Sequence, residues 1–260
     1  MTTVGFIGAG NMGGAIIAGL LRGGEVTGDD ILASGRNRAK LEARCAELGC
    51  TPAESNGDLA RRSGIVFLCA KPAQIPGIVE ELGAALADTT VVSVAAGLPV
   101  AELATMLPDS ARAMAFLPNT PVAVGHGIFP VEAGHTVTGI HLEELTRLLE
   151  SCGRVIWLEE GDSGMLPVIS GCGAGLVPVL MEAFADAAVK HGVRREDAYD
   201  VVARTFRGSA ELMLQTGKAP AQLKDEVCSP GGTTIRGVTG LDENGVRGGI
   251  IRSLDAIVGD

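Results

Sequence analysis

The sequence predicts an α/β N-terminal domain built on a mostly parallel sheet, followed by an all-α C-terminal domain, with the boundary placed between residues 1–160 and 161–260. Three observations predict it. Short β-branched apolar runs alternate with helical stretches through the first half, the β signal vanishes beyond Gly161, and a glycine-rich turn joins the first run to the first helix. A chain of 260 residues exceeds the usual size of one domain and falls short of three, so two domains fit the length.

The elements follow in order. Thr3 to Ile7 reads as a strand, Asn11 to Arg22 as a helix and Ile31 to Ala33 as the next strand, which makes a βαβ unit. A helix near Arg38 to Leu48, a strand at Ile65 to Cys69, a helix after Pro72 and a strand at Val91 to Val94 continue it. Further strands near Ala113 to Leu117 and Arg154 to Leu158 are expected to close the sheet. These runs are apolar without polar alternation, as suits strands covered on both faces.

In the second half Ala198, Val201, Val202, Thr205, Phe206, Ser209, Leu212 and Met213 recur at the i, i+3, i+4 spacing of one helix face. The apolar segment Met165 to Val189 carries Gly171, Gly173 and Gly175, which let helices approach closely or bend. So much apolar surface in about a hundred residues implies burial against a second subunit.

Composition excludes several function classes. A net charge of −10 repels polyphosphates, and one Trp with one Tyr leaves few platforms for stacking bases, so nucleic acid is not an expected partner. No uncharged apolar run reaches the ~18 to 20 residues of a membrane span, and Met1 leads almost directly into an apolar strand with no basic leader, so a cytoplasmic protein without a membrane partner is expected. Cys45, Cys50, Cys69, Cys152, Cys172 and Cys228 form no CxxC pair and no metal-finger spacing with the four histidines. They read as reduced core thiols, and no metal is expected.

Gly8-Ala9-Gly10-Asn11-Met12-Gly13 is a full G-x-G-x-x-G after the first strand and at the start of the first helix. The first glycine permits the turn, the second admits a pyrophosphate against the backbone and the third allows close helix packing, while the helix N-terminus favours negative charge. The plain alternative is a glycine-rich turn without a ligand. A Rossmann domain that uses NAD offers an acid at the end of its second strand. Here the chain reads Ala33-Ser34-Gly35-Arg36-Asn37-Arg38, and a guanidinium beside a small hydroxyl suits a 2′-phosphate. Arg36, assisted by Ser34, therefore favours NADPH over NADH; the alternative is a solvated basic helix start.

Ala70-Lys71-Pro72 follows the third predicted strand, where strand ends line a ligand crevice. Ser93-Val94-Ala95-Ala96-Gly97 closes the next with residues small enough to admit a nicotinamide ring, and Pro118-Asn119-Thr120-Pro121 adds a rigid turn whose amide can orient a carboxamide or a water. Ser229-Pro230-Gly231-Gly232-Thr233-Thr234 stands just ahead of a predicted helix, where successive N–H groups can hold a carboxylate and Thr234 can reach an imine nitrogen. Its plain alternative is a Pro-Gly turn with a threonine cap.

The order GAGNMGGAI, AKP, SVAAGL, PNTP and SPGGTT, spread over essentially the whole chain, resembles pyrroline-5-carboxylate reductase. The resemblance implies NADPH-dependent reduction of a cyclic imino acid to proline by an N-terminal Rossmann domain and a helical dimerisation domain, as a homodimer that can assemble further into five dimers. It places Gly8, Gly10, Asn11, Met12, Ser34, Arg36, Asn56, Ala70, Lys71, Pro72, Ala95, Ala96 and Gly97 at the cofactor, and Ser229, Gly232, Thr233 and Thr234 at the substrate, with Thr234 as the catalytic residue. Two departures stand out. The family's Ser-Gly-Ser-Gly-Pro-Ala appears as Ser170-Gly171-Cys172-Gly173-Ala174-Gly175, and its Arg-x-Met-Pro-Asn-Thr-Pro is met either by Arg112 with three residues inserted or, without a gap, by Ala115 in the arginine position. Three alternatives stay open: a reductase of another cyclic imino acid, a β-hydroxyacid dehydrogenase, which would carry a catalytic lysine that this chain lacks after its glycine series, and a non-catalytic NADPH-binding sensor.

Overall fold

The computed structural model describes residues 2–162 and 164–259. The chain divides into two compact units, Met1–Gly171 and Cys172–Asp260.

The first unit is a six-stranded, all-parallel sheet in the order β3-β2-β1-β4-β5-β6. Its strands are β1 (Val4–Ile7), β2 (Ile31–Ser34), β3 (Thr51–Pro52), β4 (Ile65–Leu68), β5 (Thr90–Ser93) and β6 (Arg112–Ala115). Helices α1 (Asn11–Gly23), α2 (Arg38–Leu48), α3 (Asn56–Arg62), α4 (Ile75–Leu82) and α5 (Val100–Met106) connect them. Both faces are buried. Val4, Phe6, Ile65 and Phe67 pack with α1 residues Ile16, Ile17 and Leu20, whereas Ile7, Val66 and Leu68 pack with Leu59 of α3, Ile75 of α4 and Leu103 of α5. That two-sided burial is why these strands carry no polar alternation. Phe6 and Phe67, paired in register, stack at 4.8 Å, and edge contacts carry the aromatic row on through Phe116 to Phe129.

Arg154 to Leu158 is a strand as expected, but it does not extend the main sheet. It forms β8 (Gly153–Trp157), parallel to β7 (Gly127–Val131), with α6 (Gly139–Glu150) between them. Sequence reading gives no sign of β7, because Gly127 and Pro130 interrupt its pattern; a proline survives where a strand has a partner on one side only. The free edge of β6 is covered rather than bare: Phe116 bridges Val131, Glu132 N donates to Ala115 O at 2.9 Å and Thr136 exchanges hydrogen bonds with both backbone groups of Ala113.

The second unit is helical. The 26-residue α7 (Met165–Lys190) begins before it, and α8 (Arg195–Thr216), α9 (Pro220–Glu226), α10 (Thr233–Glu243) and α11 (Val246–Val258) follow. Its buried apolar residues are Ala185, Ala198 and Val202, joined by Met181 and Phe206, with Phe184 set edge-on to Phe206 at 5.4 Å. Two expectations need correction here. Helix α7 is long and apolar enough, by length and composition, to cross a membrane, so the expectation that no segment comes near that threshold does not hold. The thiols are all free, but Cys172 is exposed on α7 rather than in a core.

Candidate functional site

The parallel register sets the site. Ser34, Ile7, Leu68, Ser93 and Ala115 lie in one row across β2, β1, β4, β5 and β6, so the turns that follow those strands emerge along a single rim. Chain order reverses between β1 and β4, which makes the rim a topological switch point. Gly8–Met12, Gly35–Asn37, Ala70–Pro72 and Ala95–Gly97 all leave the sheet there.

Two of the three loop glycines are required by the fold, and the third leaves space open. Gly8 has φ +106°, and a Cβ on it would meet Cys69 O at 2.7 Å. A Cβ on Gly13 would stand 2.1 Å from Gly8 O, so that residue packs α1 onto the loop. At Gly10 a Cβ would meet nothing within 4 Å, and this residue is the N-cap of α1, exposed beside exposed Asn11. Open space over a helix N-terminus is what a pyrophosphate needs. Cys69 lies directly beneath, and burial pushes its thiol up to about 12, so the loop has no sulfur anion under it at neutral pH.

At the end of β2 the geometry separates the two arginines. Arg38 is committed, its Nη1 donating to Ala53 O at 2.7 Å and its Nε to Glu42 at 2.6 Å. Asn37 caps α2 by accepting from Lys40 N. Arg36 is exposed, with no hydrogen bond or ion pair to any described residue. Ser34, 2% exposed, donates to Asn56 Oδ1 at 2.7 Å, which fixes the amide at the first position of α3 and leaves the hydroxyl's lone pairs free. Ser34 and Asn56 thus meet although 22 residues apart.

After β4, Ala70 is half-buried and Lys71 and Pro72 are exposed, the proline opening a short turn, Pro72–Gln74, ahead of α4. After β5, Gly97 has φ +81° and Ala96 is exposed. This turn is anchored by a residue that sequence reading missed: Glu132 Oε2 accepts from Val100 N at 2.9 Å. Glu132 and Val100 are 32 residues apart, so no local pattern could have paired them.

Asn119 differs from expectation. Its side chain is buried and engaged at both ends, Oδ1 accepting from Ile128 N and Nδ2 donating to Ser170 O, each at 3.0 Å. It tethers β7 and the start of α7. Arg112 lies at the opposite end of β6 from the rim, bonded to Thr90 Oγ1 and Asp88 O, while Ala115 ends the strand at the rim.

In the second unit Gly232 N donates to Ser229 O at 2.9 Å and Gly231 has φ +68°, a tight Pro-Gly turn whose third residue demands glycine. The turn exists, but the threonine cap does not. Gly232 itself is the N-cap of α10, without a side-chain cap bond. Thr233 and Thr234 open the helix exposed, their hydroxyls without a partner among the described residues. Ser229 Oγ sits 2.5 Å from where a Gly232 Cβ would be, so only glycine lets it lie over the helix start. Among the described residues no group of three or more His, Cys, Asp or Glu is placed to hold a metal ion.

A parallel sheet with this loop at its switch point, joined to a helical unit, defines a dinucleotide-binding oxidoreductase of the Rossmann type. Residues 3–97 match the family described as NADP oxidoreductase, coenzyme F420-dependent, and residues 161–259 match pyrroline-5-carboxylate reductase dimerisation. Pyrroline-5-carboxylate reductase 3 of Macaca fascicularis is 36% identical over 257 residues, covering 97% of this chain and 92% of the relative. The Escherichia coli K12 pyrroline-5-carboxylate reductase is 35% identical over 252 residues, covering 96% and 94%. The crystal structure of Plasmodium falciparum pyrroline carboxylate reductase with NADP bound superposes with TM-score 0.87 at 27% identity, over 99% of this chain and 95% of that one. The chain belongs to the pyrroline-5-carboxylate reductase family.

Proposed function

We propose that this chain reduces 1-pyrroline-5-carboxylate to L-proline with NADPH. The observation that carries the reading is the Ser229–Thr234 turn, where bare amides and two unpartnered hydroxyls open α10 in a chain of this family. Such a helix start suits a small carboxylate.

On this reading the open face at Gly8, Gly10, Asn11 and Met12 receives the pyrophosphate, and Arg36 with Ser34 receives the 2′-phosphate. Asn56, held by Ser34, and Ala70, Lys71 and Pro72 line the ribose path. Ala95, Ala96 and Gly97 leave room for the nicotinamide. When bound, NADPH supplies the hydride that adds to C5 of the ring. Ser229 and Thr233 hold the substrate carboxylate, Gly232 keeps a side chain out of its way, and Thr234 holds the ring nitrogen, donating to the neutral imine or accepting from the iminium N–H. A protonated imine is already electrophilic, so positioning rather than a strong base governs rate.

Support for a homodimer comes from the dimerisation match over 161–259 and from the apolar side chains that α7, α8 and α11 leave exposed. Five such dimers in one particle and a cytoplasmic location are the finer readings of the same kind. The test is loss of NADPH absorbance with pyrroline-5-carboxylate and, separately, with its six-membered homologue, for the wild type and Thr234→Ala. Faster oxidation with the five-membered ring is expected, with the variant about 10²-fold slower at unchanged melting temperature. Oxidation of a 3-hydroxy acid with NADP⁺ and no turnover of either imine would overturn the reading, as would tight NADPH binding with no turnover at all.

A further inference from the structure

Helix α2 ends in a motif that sets two thiols together. Gly49, at φ +77°, donates its N–H to Cys45 O at 2.8 Å, and Cys50 N donates to the same oxygen at 3.1 Å. In this helix stop the residue after the glycine folds back over the residue one turn earlier, and their side chains touch. Two apolar residues ordinarily make that contact; here both are cysteine. Cys45 is buried, Cys50 is partly exposed, and both pack on the same core cluster. The other four thiols lie elsewhere: Cys69 under the phosphate loop, Cys152 just past α6, Cys172 on α7 and Cys228 just past α9.

We propose that Cys45 and Cys50 are a dithiol modification site, which a low-molecular-weight disulfide such as oxidised glutathione closes to an intramolecular disulfide. The direct backbone hydrogen bond between the two residues keeps them adjacent, the first condition for a disulfide. Access sets the order of events. The Cys50 thiolate attacks one sulfur of the incoming disulfide, whose S–S bond breaks and releases one thiolate. The Cys45 thiolate then attacks Cys50 Sγ in the mixed disulfide, and the second small thiolate leaves. Two protein thiols lose two protons and two electrons, and the reagent gains those electrons as two thiols. Burial and the neighbouring Cys45 sulfur push the Cys50 thiol up to about 12, so closure is slow at neutral pH and speeds about tenfold per pH unit as the thiolate fraction rises.

The test uses the full-length protein with oxidised glutathione at about pH 8.5, followed by alkylation in denaturant and peptide mass mapping. The expected product has lost two hydrogens in the 45–50 segment and two alkylation sites, restored by dithiothreitol. In Cys45→Ser the reaction stops at a glutathione adduct on Cys50. Accumulation of that adduct in the wild-type protein without ring closure would overturn the proposal. So would full alkylation of Cys45 and Cys50 under conditions that modify exposed Cys172. The readout is a mass, so it stands or falls independently of any assay with imino acids.

Discussion

The two units of this chain bury apolar residues to very different degrees. In the first, Phe6, Ile16, Ile17, Leu20, Phe67 and Phe129 are wholly inaccessible. Among the described residues of the second, the buried apolar ones are two alanines and a valine, while Val201 is 61% and Leu214 75% exposed on α8. The α8 stripe read from the sequence divides accordingly: Ala198 and Val202 are covered within the chain, while Val201, Leu212 and Met213 are left out. A stripe wider than its own chain can cover is the signature of a helix whose remaining partner is another subunit. The first unit is therefore stabilised by its own residues, whereas the second, which matches the family's dimerisation region, leaves apolar surface for a partner.

That contrast can be broken or sharpened by substitution. The largest effect is expected from Phe67→Ala, which removes the centre of the aromatic row and should cost about 3–5 kcal/mol. Urea denaturation should show this loss to be independent of protein concentration. Next comes Val201→Asp, which adds a charge to surface that assembly buries. It should dissociate the oligomer in sedimentation velocity and lower the melting temperature; an unchanged oligomer would undo the comparison. The smallest effect on stability belongs to Arg36→Ala, an exposed side chain without partners, within about 0.5 kcal/mol. Yet it should raise the KM for NADPH about tenfold and leave that for NADH unchanged, the loss of one charge-assisted phosphate contact. The same substitution would then separate what a residue does for the fold from what it does for the ligand.

How much was legible in advance followed the range of the interactions involved. The glycine loop, the Ser34-Gly35-Arg36 turn and the Ser229–Thr234 turn are each defined by neighbours in sequence, and each lies at the end of an element where sequence reading placed it. Asn119 shows the limit. Its residue type suggested ligand contact, but its partners, Ile128 and Ser170, are 9 and 51 residues away, and those bonds make it a tether. Glu132 and β7 were invisible for the same reason, one pairing across 32 residues and the other masked by Gly127 and Pro130.

By itself, then, the amino-acid sequence determined the alternation of strands and helices and the glycine loop between β1 and α1, because apolar periodicity and glycine φ requirements are local. The tertiary structure alone decided which arginine is free and which is spent, that Ala115 ends β6 at the rim, that β7 and β8 stand apart from the main sheet, and that Cys50 folds back on Cys45. Each of these depends on hydrogen bonds or packing between groups whose meeting is set by the folded path of the chain rather than by their spacing along it.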